Sequence, residues 1–153
     1  MKFLCDQMLG TLAKWLRLIG FDTYYADSKI DDNELLDIAK DEDRVFITRD
    51  KELMYRAKKK KIQILTLRST DLDEQLTDVL KKLDLDEKAF FTRCSLCNGV
   101  LKQLKKEDAK KFVPDKAFEN NDRFWFCPKC EKAYWKGSHY DKILCRINKI
   151  KKL

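Results

Sequence analysis

Four cysteines and a scattered set of aspartates are the residues whose types and spacing can do chemistry. Cys94-Ser95-Leu96-Cys97 and Cys127-Pro128-Lys129-Cys130 are two C-x-x-C knuckles with 29 residues between them. Four thiolates fill a tetrahedral Zn²⁺ shell and leave no open position, so this donor set belongs to a structural zinc site. Asn98-Gly99 and Glu131-Lys132 follow the knuckles, where tight turns can aim backbone N–H groups at sulfur. Cys5 and Cys145 stand outside the pattern and read as buried apolar residues. The single histidine, His139, is surplus to a four-cysteine shell and reads as a cap or a packed surface ring.

The acids suggest a second chemistry. Asp6 and Asp50 stand where short apolar runs end, and Asp32 opens an amphipathic segment. Carboxylates converging on a hard cation such as Mg²⁺ or Mn²⁺ are what metal-dependent phosphodiester hydrolysis needs. Glu52, two residues after Asp50, is a candidate fourth acid, with Asp27, Asp31 and Glu34 weaker ones. Lys14 and Arg17 share a side of one helix and Arg49 precedes Asp50, so all three are candidates to meet phosphates. Phe124, Trp125, Phe126, Tyr134 and above all Trp135 can stack on unpaired bases or form the small core of a zinc module. With four glycines in the chain, there is neither a G-x-G-x-x-G turn nor a P-loop. One histidine, placed in the zinc half, supports no Ser-His-Asp set.

These residues need elements to gather them. Lys2–Cys5, 22–26, 44–48 and 62–67 read as strands. Between and after them, 8–19, 32–41, 51–60 and 71–83 read as helices. The apolar face of the first holds Met8, Leu9, Leu12, Ala13, Leu16 and Ile19, and Gly20 ends it. Lys58–Lys61 reads as a solvated helix end. Such alternation implies a parallel sheet covered by helices, whose strands all end at one edge. That topology alone predicts Asp6, Asp27, Asp32 and Asp50 near one rim. Residues 84–92 read as a linker, and His139–Lys151 as a final helix. The expected division is 1–88 for the α/β domain and 89–153 for the zinc module with its helix.

Charge follows the same division. Residues 1–90 hold 17 Lys and Arg against 19 Asp and Glu, a net of −2, whereas residues 91–153 hold 16 against 7, a net of +9. A basic, aromatic-rich module beside a slightly acidic domain points to a polyanion such as nucleic acid, with the basic zinc ribbon as the part expected to grip it. No apolar run reaches the ~20 residues of a membrane span. Asp6 comes too early for a signal peptide, so the chain is expected in the cytoplasm with no membrane partner.

The motifs also resemble a known family. Asp6-Gln7-Met8-Leu9-Gly10-Thr11-Leu12-Ala13-Lys14-Trp15-Leu16-Arg17, Gly20-Phe21-Asp22-Thr23, Asp32 before Leu35-Leu36 and Ala39, and Thr48-Arg49-Asp50 look like the Mut-seven C-terminal RNase domain family. So do Cys94-x-x-Cys97-Asn98, Cys127-x-x-Cys130 and Tyr134-Trp135-x-Gly137-Ser138-His139. The resemblance implies an α/β, PIN-like three-layer nuclease domain with a central parallel sheet, fused to a C-terminal zinc ribbon and a final helix. It implies Mg²⁺- or Mn²⁺-dependent endonucleolytic hydrolysis of single-stranded RNA, leaving a 5′-phosphate. Asp6, Asp32 and Asp50 would be metal ligands, and Glu52 sits where related domains often carry another acid. The family usually has arginine where this chain has Lys14, which keeps charge but loses bidentate geometry. Expected partners are thus RNA, whether rRNA, tRNA or mRNA, with a homodimer among the open assembly states. The competing reading is a non-catalytic RNA-binding or ribosome-associated zinc-ribbon protein. A receiver-like phosphoacceptor on Asp50 lacks the fifth strand and its lysine.

Overall fold

The computed structural model describes residues 1–152. Four parallel strands form the central sheet: β1 (Lys2–Cys5), β2 (Asp22–Tyr25), β3 (Val45–Thr48) and β4 (Ile64–Thr66), in the order β2-β1-β3-β4. The two central strands are buried on both faces, as apolar runs in parallel sheets require. Their side chains alternate between two cores. Phe3, Cys5, Val45 and Ile47 face α1 (Gly10–Leu18) and α4 (Leu72–Leu80). Leu4 and Phe46 face α2 (Asp32–Asp41) and α3 (Lys51–Lys59). The result is three layers, helices over sheet over helices.

The first helix departs from its expected range. Asp6 accepts the Met8 N–H at 3.0 Å and starts a 3-10 turn over Gln7–Leu9, so α1 begins only at Gly10. Met8 leaves the apolar face and is 63% exposed. At the other end Gly20 adopts φ +99°, and a Cβ there would lie 2.4 Å from the Ala89 carbonyl oxygen. Only glycine admits both the left-handed turn and that approach.

The 84–92 stretch is anchored rather than a free linker. Phe90 and Phe91 are buried, and the Phe91 N–H donates to Leu18 O at 2.9 Å. Beyond it, β5 (Lys102–Leu104), β6 (Phe124–Cys127) and β7 (Lys132–Tyr134) form an antiparallel sheet in that order. The long inter-knuckle spacer holds α5 (Lys106–Ala109) and α6 (Asp115–Asn120), which close a small core of Ala109, Val113, Phe124 and Ala133. The final helix α7 (Ser138–Lys151) returns to pack on α4. Ile143, Ile147 and Ile150 are buried there, in the same cluster as Phe3 and Leu16. Cys145 corrects its expected burial: it lies on the opposite, exposed face of α7. No helix among the described residues is long and apolar enough to cross a membrane.

Candidate active site and metal centre

Strand register puts the acids at one edge. Cys5 is level with Tyr25 and with Ile47, so Asp6, Asp27 and Asp50 all follow the carboxyl ends of neighbouring strands. Asp6, Asp27, Asp32 and Asp50 line a single cleft of about 190 Å³, with Ala26, Ile30, Leu35 and Leu53 as apolar wall.

Each acid is held differently. Asp6 is 4% exposed. One carboxylate oxygen accepts the Met8 N–H, and the other accepts the Thr48 hydroxyl from β3. Burial raises its pKa; hydrogen bonds from Thr48, Met8 and the Arg49 N–H oppose this, and the nearby Asp50 charge adds to it. Asp50 caps α3, with Oδ1 accepting the N–H groups of Glu52 at 2.8 Å and Leu53 at 3.1 Å. Its Oδ2 has no hydrogen-bond partner among the described residues. Asp31, not Asp32, caps α2 through the Glu34 N–H at 2.9 Å. Asp32 is thereby released toward the cleft, with Oδ2 3.4 Å from Arg56. The oxygen donors suit a hard divalent cation, although no three of these carboxylates are already as close together as the four cysteines.

Several candidates lie elsewhere. Glu52 is exposed on α3 and is not part of the cleft wall. Lys14 is exposed on α1. Arg17 corrects the expectation of a phosphate contact: it is 7% exposed. Its Nε donates to Thr23 O at 2.9 Å, and its NH1 donates to Ser95 O at 3.2 Å and Leu96 O at 3.0 Å. Burial lowers its pKa, because the charged form is costly to bury. Arg49 turns away from the acid cleft into a neighbouring hollow.

The cysteine knuckles converge. The Sγ atoms of Cys94, Cys97, Cys127 and Cys130 all lie within 4.8 Å of one another, and such a set could hold a metal such as zinc. Asn98 (φ 69°) and Glu131 (φ 51°) take left-handed conformations just after the knuckles. The expected N–H to sulfur bond forms after the first knuckle, where Gly99 N–H donates to Cys97 Sγ at 3.4 Å. At the second, Cys130 N–H, within the knuckle, donates to Cys127 Sγ at 3.4 Å, and Glu131 N–H donates to Cys127 O at 2.8 Å instead. The Tyr134 hydroxyl lies 3.2 Å from Cys94 Sγ and accepts the Ser95 N–H. Burial favours the neutral Cys94 thiol, but its bonds to Tyr134 and to the N–H groups of Cys97 and Leu96 win and bring its pKa to about 6. At Cys94 that environment favours the thiolate a metal needs, whereas burial pushes the Cys127 and Cys130 thiols up. Tyr134 is therefore structural. Trp135 remains half-buried beside His139 in a separate hollow of about 140 Å³.

The sequence motifs include Thr48 and Asn98 but do not reveal what their side chains hold. Thr48 Oγ1 bonds both Asp6 and the Asp50 N–H, joining the two strand-end acids. Its place before Arg49-Asp50 was the available signal.

The geometry defines a class: a parallel α/β layer protein with acids gathered at the carboxyl edge and a four-cysteine cluster that could hold a metal. The family within that class comes from comparison. A model of the Mut7-C RNAse domain matches residues 1–147, and the chain belongs to that family. Membership supports an RNase-type function with RNA as substrate. No curated protein and no solved structure matches the chain.

Proposed function

We propose that the protein is a PIN-like endoribonuclease that hydrolyses single-stranded RNA with Mg²⁺ or Mn²⁺ held by Asp6, Asp32 and Asp50, the four-cysteine module carrying a structural Zn²⁺. The supporting observation is that three acids spread over 45 residues line one cleft. A divalent cation there would neutralise charge on the scissile phosphate and acidify water. The chain's own residues fix the frame. Helix α3 orients Asp50 through two backbone bonds, and Thr48 ties Asp6 to the same turn. Ala26, Ile30, Leu35 and Leu53 form an apolar wall beside the carboxylates. Hydrolysis breaks the P–O3′ bond and leaves a 5′-phosphate and a 3′-hydroxyl.

Purified zinc-loaded protein should cut 5′-labelled single-stranded RNA with Mn²⁺. Asp6→Asn and Asp50→Asn should each slow it by about 10²-fold or more, the ~3 kcal/mol that preorganised charge stabilisation supplies. Both asparagines preserve shape, and asparagine still caps a helix. Cleavage at the parent rate by both variants would remove the site. Salt-sensitive RNA binding with no turnover in any divalent metal would support the non-catalytic alternative.

A further inference from the structure

We infer that single-stranded RNA is led to the acid cleft by a basic trough along the open β4 edge of the sheet. This deepens the nuclease reading and rests on it for the identity of the strand. The trough is two adjoining hollows of about 660 and 380 Å³ that share Thr66 and Arg68. Arg49, Lys51, Lys58, Arg68, Lys81 and Lys82 line it, against one acid, Asp78.

Four observations carry the assignment. First, residues 1–90 are net negative, so six cations around one trough are a concentration that the domain's composition does not impose. Second, no ion pair among the described residues uses any of the six, whereas Arg44, Arg56 and Lys60 of the same domain are paired. Third, no side-chain hydrogen bond or ion pair among the described residues holds Arg49, even its buried Nε, so its guanidinium is not committed within the fold and lines the trough. A phosphate oxygen is the acceptor that a guanidinium fork fits. Fourth, the trough adjoins the acids. Asp50, the cap of α3, and Leu53 line the cleft, while Arg49, Lys51, Met54 and Lys58 line the trough. One helical turn is the ridge between them, so a backbone crossing it passes from cations to carboxylates. Lys58 is thus part of a binding surface rather than only a solvated helix end.

The test uses Asp50→Asn protein, zinc-loaded so that RNA survives, and fluorescence anisotropy of a labelled single-stranded oligouridine across a range of NaCl. Replacing Lys58, Arg68 and Lys81 together by alanine removes three exposed cations and no packing. The log Kd against log salt slope should fall by about 2, roughly 0.7 per lost phosphate contact, with at least about tenfold weaker binding at 100 mM. Alanine at Lys2, Lys40 and Lys142, three cations off the trough, should leave slope and affinity nearly unchanged. Equal effects of the two triples, or no binding by the parent, overturn the trough. Cleavage in the otherwise wild-type background separates the two claims. If the trough triple loses binding yet no version of the protein ever cuts, the trough stands and the nuclease reading falls. If wild type cuts and the triple binds and cuts equally well, the nuclease reading stands and the trough falls.

Discussion

Asp31 and Asp32 are neighbours with different tasks, and separating them tests the site. Asp31 accepts the Glu34 N–H as the cap of α2. Asp31→Ala should cost about 1 kcal/mol in urea unfolding and leave RNA cleavage intact. Asp32 is exposed and weakly paired with Arg56. Asp32→Ala should move stability by no more than about 0.5 kcal/mol while removing cleavage. The opposite assignment, with Asp31 essential and Asp32 idle, would relocate the ligand set. Glu52 lies outside the cleft, so Glu52→Gln should cut at the wild-type rate. The strand-end acids Asp6 and Asp50 were legible because short continuous apolar runs stop visibly at them and parallel topology aligns their ends. Arg17 was not legible. A cation on an amphipathic helix looks the same in sequence whether it meets solvent or carbonyls 78 residues away.

The two sheet edges are treated differently. An edge strand exposes N–H and C=O groups that need partners. On β2, Thr23 N–H donates to Asn98 Oδ1 at 2.9 Å, and Thr23 O accepts from Arg17. The first knuckle therefore seals this edge with its own asparagine. Arg17→Met should cost about 3 kcal/mol in urea unfolding, because buried carbonyls lose a charged donor; a change below about 0.5 kcal/mol would contradict the seal. Asp22 completes the junction, accepting from Arg44 and from Asn98, each at 2.8 Å. Burial raises its pKa, but these two bonds and the charges of Arg44 and Arg93 outweigh that and hold it below the ordinary value. A depressed folded pKa means the stabilisation is present above the unfolded value of about 3.9 and is lost as pH falls through the folded one. Unfolding free energy should therefore drop below about pH 4, and Asp22→Asn should flatten that drop. The strands and α2 were readable from periodicity. The seal was not, because it joins residues 75 apart through side chains.

Across the whole molecule, one apolar cluster runs from Phe3 and Leu16 through Phe91 and Cys94 to Tyr134, Tyr140 and Ile147. The composition change at Phe91 marks where the chemistry changes, and the core continues across it. A metal bound at the four sulfurs would then couple to the folding of the sheet as well as the module. Chelation should lower hydrogen-exchange protection in β1 and β3 together with β6. Loss confined to residues 91–137 would contradict that coupling.

The central claim is that Asp6, Asp32 and Asp50 act as one cation site. Electron paramagnetic resonance of Mn²⁺ added to zinc-loaded protein reads this directly. Wild type should take up Mn²⁺ saturably, and Asp6→Asn and Asp50→Asn should each weaken uptake by about tenfold or more, as loss of one charged ligand requires. Undiminished Mn²⁺ uptake by both variants would contradict the account.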